Sequence, residues 1–255
     1  MKKYLGQNFL FDPLILSRIV GAANIGPDDL VVEIGPGPGK LTRMLAERAG
    51  RVVAIELDDK LYERLKGNLA GFGNIELIHG DALKYHYEDL PEFKVVANIP
   101  YYITTPIIFR LLSAKGNLKS MTLAVQKEVA ERITATPGTK AYGVLSLAVQ
   151  YHAEPNLKFP IPKEAFRPIP KVDSAIVHIR ILDKPSVDVG NENLFFRIIK
   201  TAFSQRRKML SNSLKSVRED VKEWLTRAGI DPQRRAETLS ILEFALLANI
   251  YDEES

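Results

Sequence analysis

Four consecutive residues, Asn98-Ile99-Pro100-Tyr101, carry the most specific chemistry in this chain of 255 residues. An exocyclic amine on a nucleobase is a poor nucleophile because its lone pair is delocalised into the ring. The Asn98 side-chain oxygen and the Ile99 backbone carbonyl can each accept a hydrogen bond from such an amine. Those bonds favour a more tetrahedral nitrogen, with its lone pair directed at an incoming methyl group. Pro100 stiffens the turn, and Tyr101 offers a flat face on which a base can stack. The same residues also suit a strand that ends in an Asn-x-Pro turn beside a core tyrosine, so the surrounding pattern has to decide.

Three acids recur near the ends of apolar runs upstream. Glu33 lies within Leu30 to Ile34, Glu56 follows Arg51 to Ile55, and Asp81 follows Ile75 to His79. In open α/β sheets, ligands bind in the crevice at the carboxyl ends of the strands, and an acid closing the second strand matches a ribose diol. Three acids in that register favour a nucleotide-like ligand, although Glu56 alone could equally be a solvated charge at the start of the helix near Asp58. Gly35, Gly37 and Gly39 can take positive φ and let backbone N–H groups approach a ligand closely. Their spacing places Lys40 where a dinucleotide fingerprint needs its third glycine, which argues against NAD.

Helices and strands must alternate to position these groups. Asp12-Pro13 reads as an N-cap and first helical residue, opening a helix from Pro13 to about Ala23. Strands are predicted at Leu30 to Ile34, Arg51 to Ile55, Ile75 to His79, Lys94 to Ala97 and Ser120 to Val125, and a last one at Ala175 to Leu182. Helices are predicted at Lys40 to Arg48 and Gln126 to Ile133; Gly143 to Tyr151 suits a helix or a strand, with helix favoured because Leu145, Ala148 and Val149 share a face. Before the last strand lies Phe166-Arg167-Pro168-Ile169-Pro170-Lys171-Val172-Asp173-Ser174, a rigid loop. Phe166 could sandwich a base against Tyr101 or pin the loop to the core. Asp183 to Asn193 is polar with Pro and Gly and reads as a linker; the remainder is helical in pattern. The expected division is therefore residues 1–185 and a helical domain at 190–255.

From Asn193 to Arg218 there are seven basic residues (Arg197, Lys200, Arg206, Arg207, Lys208, Lys215, Arg218) and no acidic ones. Such a run suits RNA phosphates or an ordinary solvated face. Cysteine is absent, which excludes disulfides and thiolate metal sites, and the four histidines lack metal-ligand spacing, so no metal is expected. The longest uncharged stretch, Val95 to Phe109, contains two prolines and is too short for a membrane helix. The N-terminus lacks the apolar region of a secretory signal. A cytoplasmic protein without membrane attachment is expected.

The E-x-G-x-G-x-G spacing at Glu33 to Gly39 resembles the first motif of S-adenosylmethionine-dependent methyltransferases. The chain as a whole resembles the ribosomal RNA adenine dimethyltransferases of the KsgA type. The resemblance rests on GQNFL at Gly6 to Leu10, EIGPGPGKLT, Glu56, Gly80-Asp81-Ala82, Asn98-Ile99-Pro100-Tyr101, VQKEVAERI at Val125 to Ile133, the FxPxPKVDS loop and FSQRRKMLSNSL at Phe203 to Leu214. It implies a doubly wound Rossmann-like methyltransferase sheet followed by a small helical domain. It further implies an N-terminal arm whose Asn8 and Leu10 contact S-adenosylmethionine, with Gly35, Gly37 and Gly39 at the methionine part. Glu56 would hold the ribose hydroxyls, Asp81 and Ala82 the adenine, and Asn98 would stand between donor and target. The implied reaction is dimethylation at N6 of two adjacent adenines near the 3′ end of small-subunit (16S) rRNA, on a pre-30S particle, by a monomer, with RNA held by Arg197, Lys200, Arg206, Arg207 and Lys208. Macrolide-resistance methyltransferases acting on large-subunit RNA, and non-catalytic assembly or transcription factors of the same fold, are the alternatives.

Overall fold

The computed structural model describes residues 8–253, so Gly6 and Gln7 of the GQNFL motif lie outside the described residues. The elements run β1 (Phe9–Leu10), α1 (Pro13–Ala22), β2 (Leu30–Ile34), α2 (Lys40–Ala46), β3 (Arg51–Glu56), α3 (Asp59–Leu69), β4 (Ile75–His79), β5 (Phe93–Asn98), α4 (Thr104–Ser113), β6 (Leu118–Gln126), α5 (Lys127–Ile133), α6 (Val144–His152), β7 (Ala153–Ile161), β8 (Phe166–Arg167), β9 (Ser174–Ile181), α7 (Glu192–Ser204), α8 (Leu210–Ser213), α9 (Val221–Arg227) and α10 (Ile241–Glu253). The sheet order is β4-β3-β2-β5-β6-β9-β7. Strands β4 to β6 pair in parallel and β9 is antiparallel to β6. This is the expected doubly wound Rossmann-like sheet. Every residue of β2 is buried, as a central parallel strand covered on both faces requires. The chain leaves β2 for β3 on one side and returns to β5 on the other, and the crevice at that switch point opens beyond Ile34 and Asn98.

Local chemistry sets the helix starts. Asp12 Oδ1 accepts hydrogen bonds from the Leu14 and Ile15 amides at 2.9 and 3.3 Å, with Pro13 at the first position. Asp58 does the same for Lys60 and Leu61 at the start of α3. The short strands β1 and β8, in stretches read as an arm and a loop, go unpredicted, as do α4 and β7. Helix α4 follows directly on Asn98-Ile99-Pro100-Tyr101 and carries Pro106 in its first turn, where a missing N–H costs nothing. Strand β7 contains Pro155 and Pro160, which an edge strand tolerates, and it lies at the end of the sheet.

The chain divides into two compact units, one comprising residues up to Ala130 with Pro155–Ile181, the other Glu131–Glu154 with the chain from Leu182 onward. The segment 131–154, which the sequence reading placed in the first domain, joins the second because Tyr142, Leu147 and Tyr151 bury their side chains in one cluster with Phe195, Ile198 and Trp224. Trp224 is fully buried there and donates its indole N–H to the Leu247 carbonyl at 3.1 Å. Among the described residues, no helix is long and apolar enough to cross a membrane.

In the first unit, β1 and β8 form a separate two-stranded ribbon, with Phe9 opposite Arg167 and Leu10 opposite Phe166. Leu10 is 5% exposed and Phe166 0%, and both belong to the cluster containing Ile19, Leu45, Ile161 and Ile176. Phe166 is thus a core residue, and its ring is not available to stack on a base against Tyr101. Burial of an aromatic ring is the larger gain here. Phe166→Ala should lower stability by about 3–5 kcal/mol in urea unfolding, and a loss below about 1 kcal/mol would place the ring outside the core.

Candidate active site

Beyond the carboxyl end of β2 the backbone turns through Gly35, Gly37 and Gly39 at φ of 68°, 58° and 81°. These are left-handed conformations that favour glycine. The three do different things. A Cβ on Gly37 would lie 2.8 Å from the Phe9 ring, so glycine there lets the N-terminal arm close over the loop. A Cβ on Gly39 would lie 2.8 Å from Leu65, so this glycine serves the packing of α2 against α3 and does not open space for a ligand.

Two buried carboxylates sit beneath the loop. Glu56, 1% exposed, accepts from the Gly37 amide at 3.1 Å and from the Asp58 amide at 2.9 Å. It therefore organises both loops that flank the crevice. Burial raises its pKa above the ordinary range, against the lowering effect of these amides. Glu33 is 2% exposed, and its Oε2 and the Thr42 hydroxyl oxygen are buried without a hydrogen-bond partner. Burial pushes the Glu33 carboxyl up to about 8; the Thr42 hydroxyl beside it lowers the value and the Glu56 charge raises it further. Asp81 follows Gly80, whose amide donates to the Glu56 carbonyl at 2.9 Å, so both acids flank one end of the crevice. One Asp81 oxygen accepts from the Leu83 amide. Ala82 is buried and its carbonyl accepts from the Tyr87 hydroxyl at 2.9 Å.

At the end of β5, Asn98 Nδ2 donates to the Asn8 carbonyl at 2.9 Å. A carbonyl oxygen can only accept, so this contact fixes the amide's orientation and leaves Oδ1 as the atom that faces elsewhere. Ile99 is buried and its amide donates to the Ala124 carbonyl of β6 at 3.3 Å. The Tyr101 hydroxyl and the Ser174 hydroxyl lie 2.7 Å apart, which anchors the half-buried tyrosine at its outer edge. Asn8, Phe9, Gly35, Gly37, Asn98, Ile99, Pro100 and Tyr101 together line one cleft.

Of the predicted site residues, the cleft gathers Asn8, Gly35, Gly37, Asn98, Ile99, Pro100 and Tyr101, with Glu56 joined to it through Gly37. The side chains of Leu10 and Phe166 are in the core, and Gly39 is a packing glycine. Phe9, Thr42, Ser174 and Tyr102 were passed over. Phe9 adjoins Asn8 in sequence, and Ser174 closes the FxPxPKVDS motif, so both had a signal. Tyr102 is 54% exposed; burial of part of its ring, then the charges of Asp81 and Glu56, raise its hydroxyl's pKa.

The donor set fits S-adenosylmethionine. Its ammonium and sulfonium are cationic groups, and the buried Glu56 carboxyl is tied to the glycine loop through the Gly37 amide at 3.1 Å. Because the folded chain holds the Glu33 proton to a higher pH than the unfolded chain, stability falls as the pH rises from 4.5 to about 8. The slope approaches 1.4 kcal/mol per pH unit, an order-of-magnitude figure. Glu33→Gln should flatten that decline and be the more stable form near pH 8, read as melting temperature across the interval. Parallel curves for the two proteins would contradict the assignment.

Similar proteins share this architecture along nearly the whole chain. A small-subunit methyltransferase A of ribosomal RNA from Pelotomaculum thermopropionicum is 47% identical over 268 residues, covering 98% of this chain and 91% of that protein. The crystal structure of a dimethyladenosine transferase from Plasmodium falciparum superposes with a TM-score of 0.82 at 30% identity, covering 96% of this chain and 98% of that one. The 23S rRNA methyltransferase ErmE superposes with 0.76, also at 30% identity, covering 96% and 100%. The model of the ribosomal RNA adenine dimethylase family matches residues 1–253, and with the glycine loop, the buried acids and the Asn98 turn already in place, the chain belongs to that family.

Proposed function

We propose that this enzyme transfers methyl groups from S-adenosylmethionine to N6 of two adjacent adenines near the 3′ end of 16S rRNA in an assembling small subunit, yielding N6,N6-dimethyladenosine. The relatives named for the small subunit support that substrate over large-subunit RNA. One observation carries the mechanism: the Asn98 amide nitrogen is committed to Asn8, so Oδ1 is free to accept from an adenine amine.

When bound, S-adenosylmethionine supplies a methyl group already activated on a positively charged sulfur. The chain's own residues do the rest. Asn98 Oδ1 and the Ile99 carbonyl accept hydrogen bonds from the two N6–H groups of the unmodified adenine, and one of them from the single N6–H left after the first transfer, holding the nitrogen lone pair toward the methyl carbon. Pro100 fixes the turn, and Tyr101, tethered through Ser174, supports the unstacked base. Attack by N6 on the methyl carbon would form the C–N bond as the donor's C–S bond breaks, and the proton displaced from N6 would leave to water. A neutral amide is sufficient because the electrophile needs no further activation. In this reading Glu56 holds the ribose and Asp81 the donor's adenine.

RNA is held by the exposed Arg197, Lys200, Arg207 and Lys208 of the second unit. Arg206 has another task. Its guanidinium donates to the Lys140 and Tyr142 carbonyls at 2.8 and 2.9 Å and lies 3.6 Å from Glu237, so it clamps the segment 140–142 within that unit. We place the protein in the cytoplasm as a monomer that needs no metal.

Asn98→Ala should abolish transfer to unmethylated small subunits while donor binding persists, measured with methyl-labelled donor and mapping of the modified bases. Modification of large subunits alone would transfer the protein to the macrolide-resistance branch, and tight binding without transfer by the unmodified protein would make it an assembly factor. Replacing Lys200, Arg207 and Lys208 by alanine should reduce the slope of log affinity against log salt by about 2–3 for RNA binding. An unchanged slope would place the RNA elsewhere.

A further inference from the structure

The loop Pro168–Asp173 is anchored at both ends to residues of the cleft. On one side Arg167 pairs with Phe9, and on the other the Ser174 hydroxyl meets Tyr101. Its frame is firmly seated: Phe166 and Pro170 are buried, the Asp173 carbonyl accepts from the Lys127 amide at 3.0 Å, and Asp173 Oδ1 accepts from the Lys163 amide at 3.0 Å. Two prolines, Pro168 and Pro170, limit the backbone between these anchors. Yet this seated loop exposes two large aliphatic side chains, Ile169 at 55% and Val172 at 45%. Exposed Arg167 and Lys171 flank them; Arg167 Nη1 donates to the Glu164 and Phe166 carbonyls at 2.7 and 2.8 Å, which fixes the guanidinium and leaves its Nη2 facing outward, and Asp173 Oδ1 accepts from the Lys163 amide.

A rigid apolar tip between two cations, held at the rim of a cleft for a nucleobase, has the chemistry of a wedge. The cations hold phosphates, and the aliphatic groups can enter a base step and take the place of a stacking neighbour. We infer that Ile169, assisted by Val172, inserts into the rRNA beside the target adenine and holds open the step from which that adenine is extruded. The inference rests on the adenine-methylating reading above. It assigns Ile169 a positioning role and no contact with the reacting atoms. Phe166, the aromatic residue of the same motif, cannot do this because it is buried.

The test uses the full chain with Ile169→Ser, and Ile169→Leu as the conservative variant. The first readout needs no donor: a short RNA containing the adjacent adenines, with 2-aminopurine as the neighbour of the target base, should brighten on binding the unmodified protein and the Leu variant. The Ser variant should bind within about threefold yet give little brightening, because the charged contacts that dominate affinity remain. The second readout is methyl transfer. Loss of the wedge should slow transfer to intact small subunits by about tenfold to a hundredfold, and by less than about threefold on an RNA whose neighbouring base is replaced by an abasic site, since no stack then has to be opened. Equal losses on the two substrates, or full brightening with the Ser variant, would overturn the proposal. Absence of N6 transfer by the unmodified protein on either RNA would instead overturn the reading on which it rests.

Discussion

The Asn98 amide has two ends, and the site depends on which end faces inward. Its nitrogen is held by the Asn8 carbonyl. A single hydrogen bond of this kind is worth about 1 kcal/mol net, too little to hold an N-terminal arm against the entropy of releasing it. The arm is held by burial. Leu10 and Phe166 face each other across the β1–β8 ribbon and both are inside the core, and Phe9 lies over Gly37 at a distance no side chain on that residue would allow. Hydrophobic burial therefore presents the Asn8 carbonyl, the carbonyl orients the amide, and the amide offers its oxygen to the target base.

The crevice floor is built at an electrostatic cost. Burying a carboxylate is unfavourable unless hydrogen bonds or opposite charge compensate it. Glu56 receives two backbone N–H groups and in exchange fixes the loops that carry them. Glu33 is left with an oxygen that has no partner. Burial raises its pKa to about 8, so near neutral pH it keeps its proton and the cost of a bare buried charge is avoided.

Much of this was legible in the sequence because it depends on short-range rules. Buried parallel strands read as continuous apolar runs, which is why β2, β3, β5 and β6 followed from pattern, and acids at strand carboxyl ends fall in the crevice by topology, which placed Glu33, Glu56 and Asp81 and the half-exposed edge strand β4 before it. What failed depends on contacts between distant segments. Gly39 resembles its neighbours until Leu65 of α3 is seen against it. Arg206 stands in a basic run, and only the fold brings the carbonyls of 140 and 142 to it. The segment 131–154 joins the helical unit through Tyr142, Leu147 and Tyr151, whose partners lie more than forty residues onward, a distance no local pattern records. Strand β7 was hidden by its prolines, which are compatible with its edge position and with no central one.

The same geometry explains why the residue at the end of β5 is an asparagine. An aspartate would be nearly isosteric and would offer oxygen acceptors to the adenine amine. It would also set a carboxylate oxygen against the Asn8 carbonyl, where neither atom can donate, so the arm would lose its contact and a further acid would join the Glu56 carboxyl beside the loop. The amide meets both demands because one end donates and the other accepts. Selection for the acceptor alone would permit either residue; selection for the arm and the acceptor together leaves the amide.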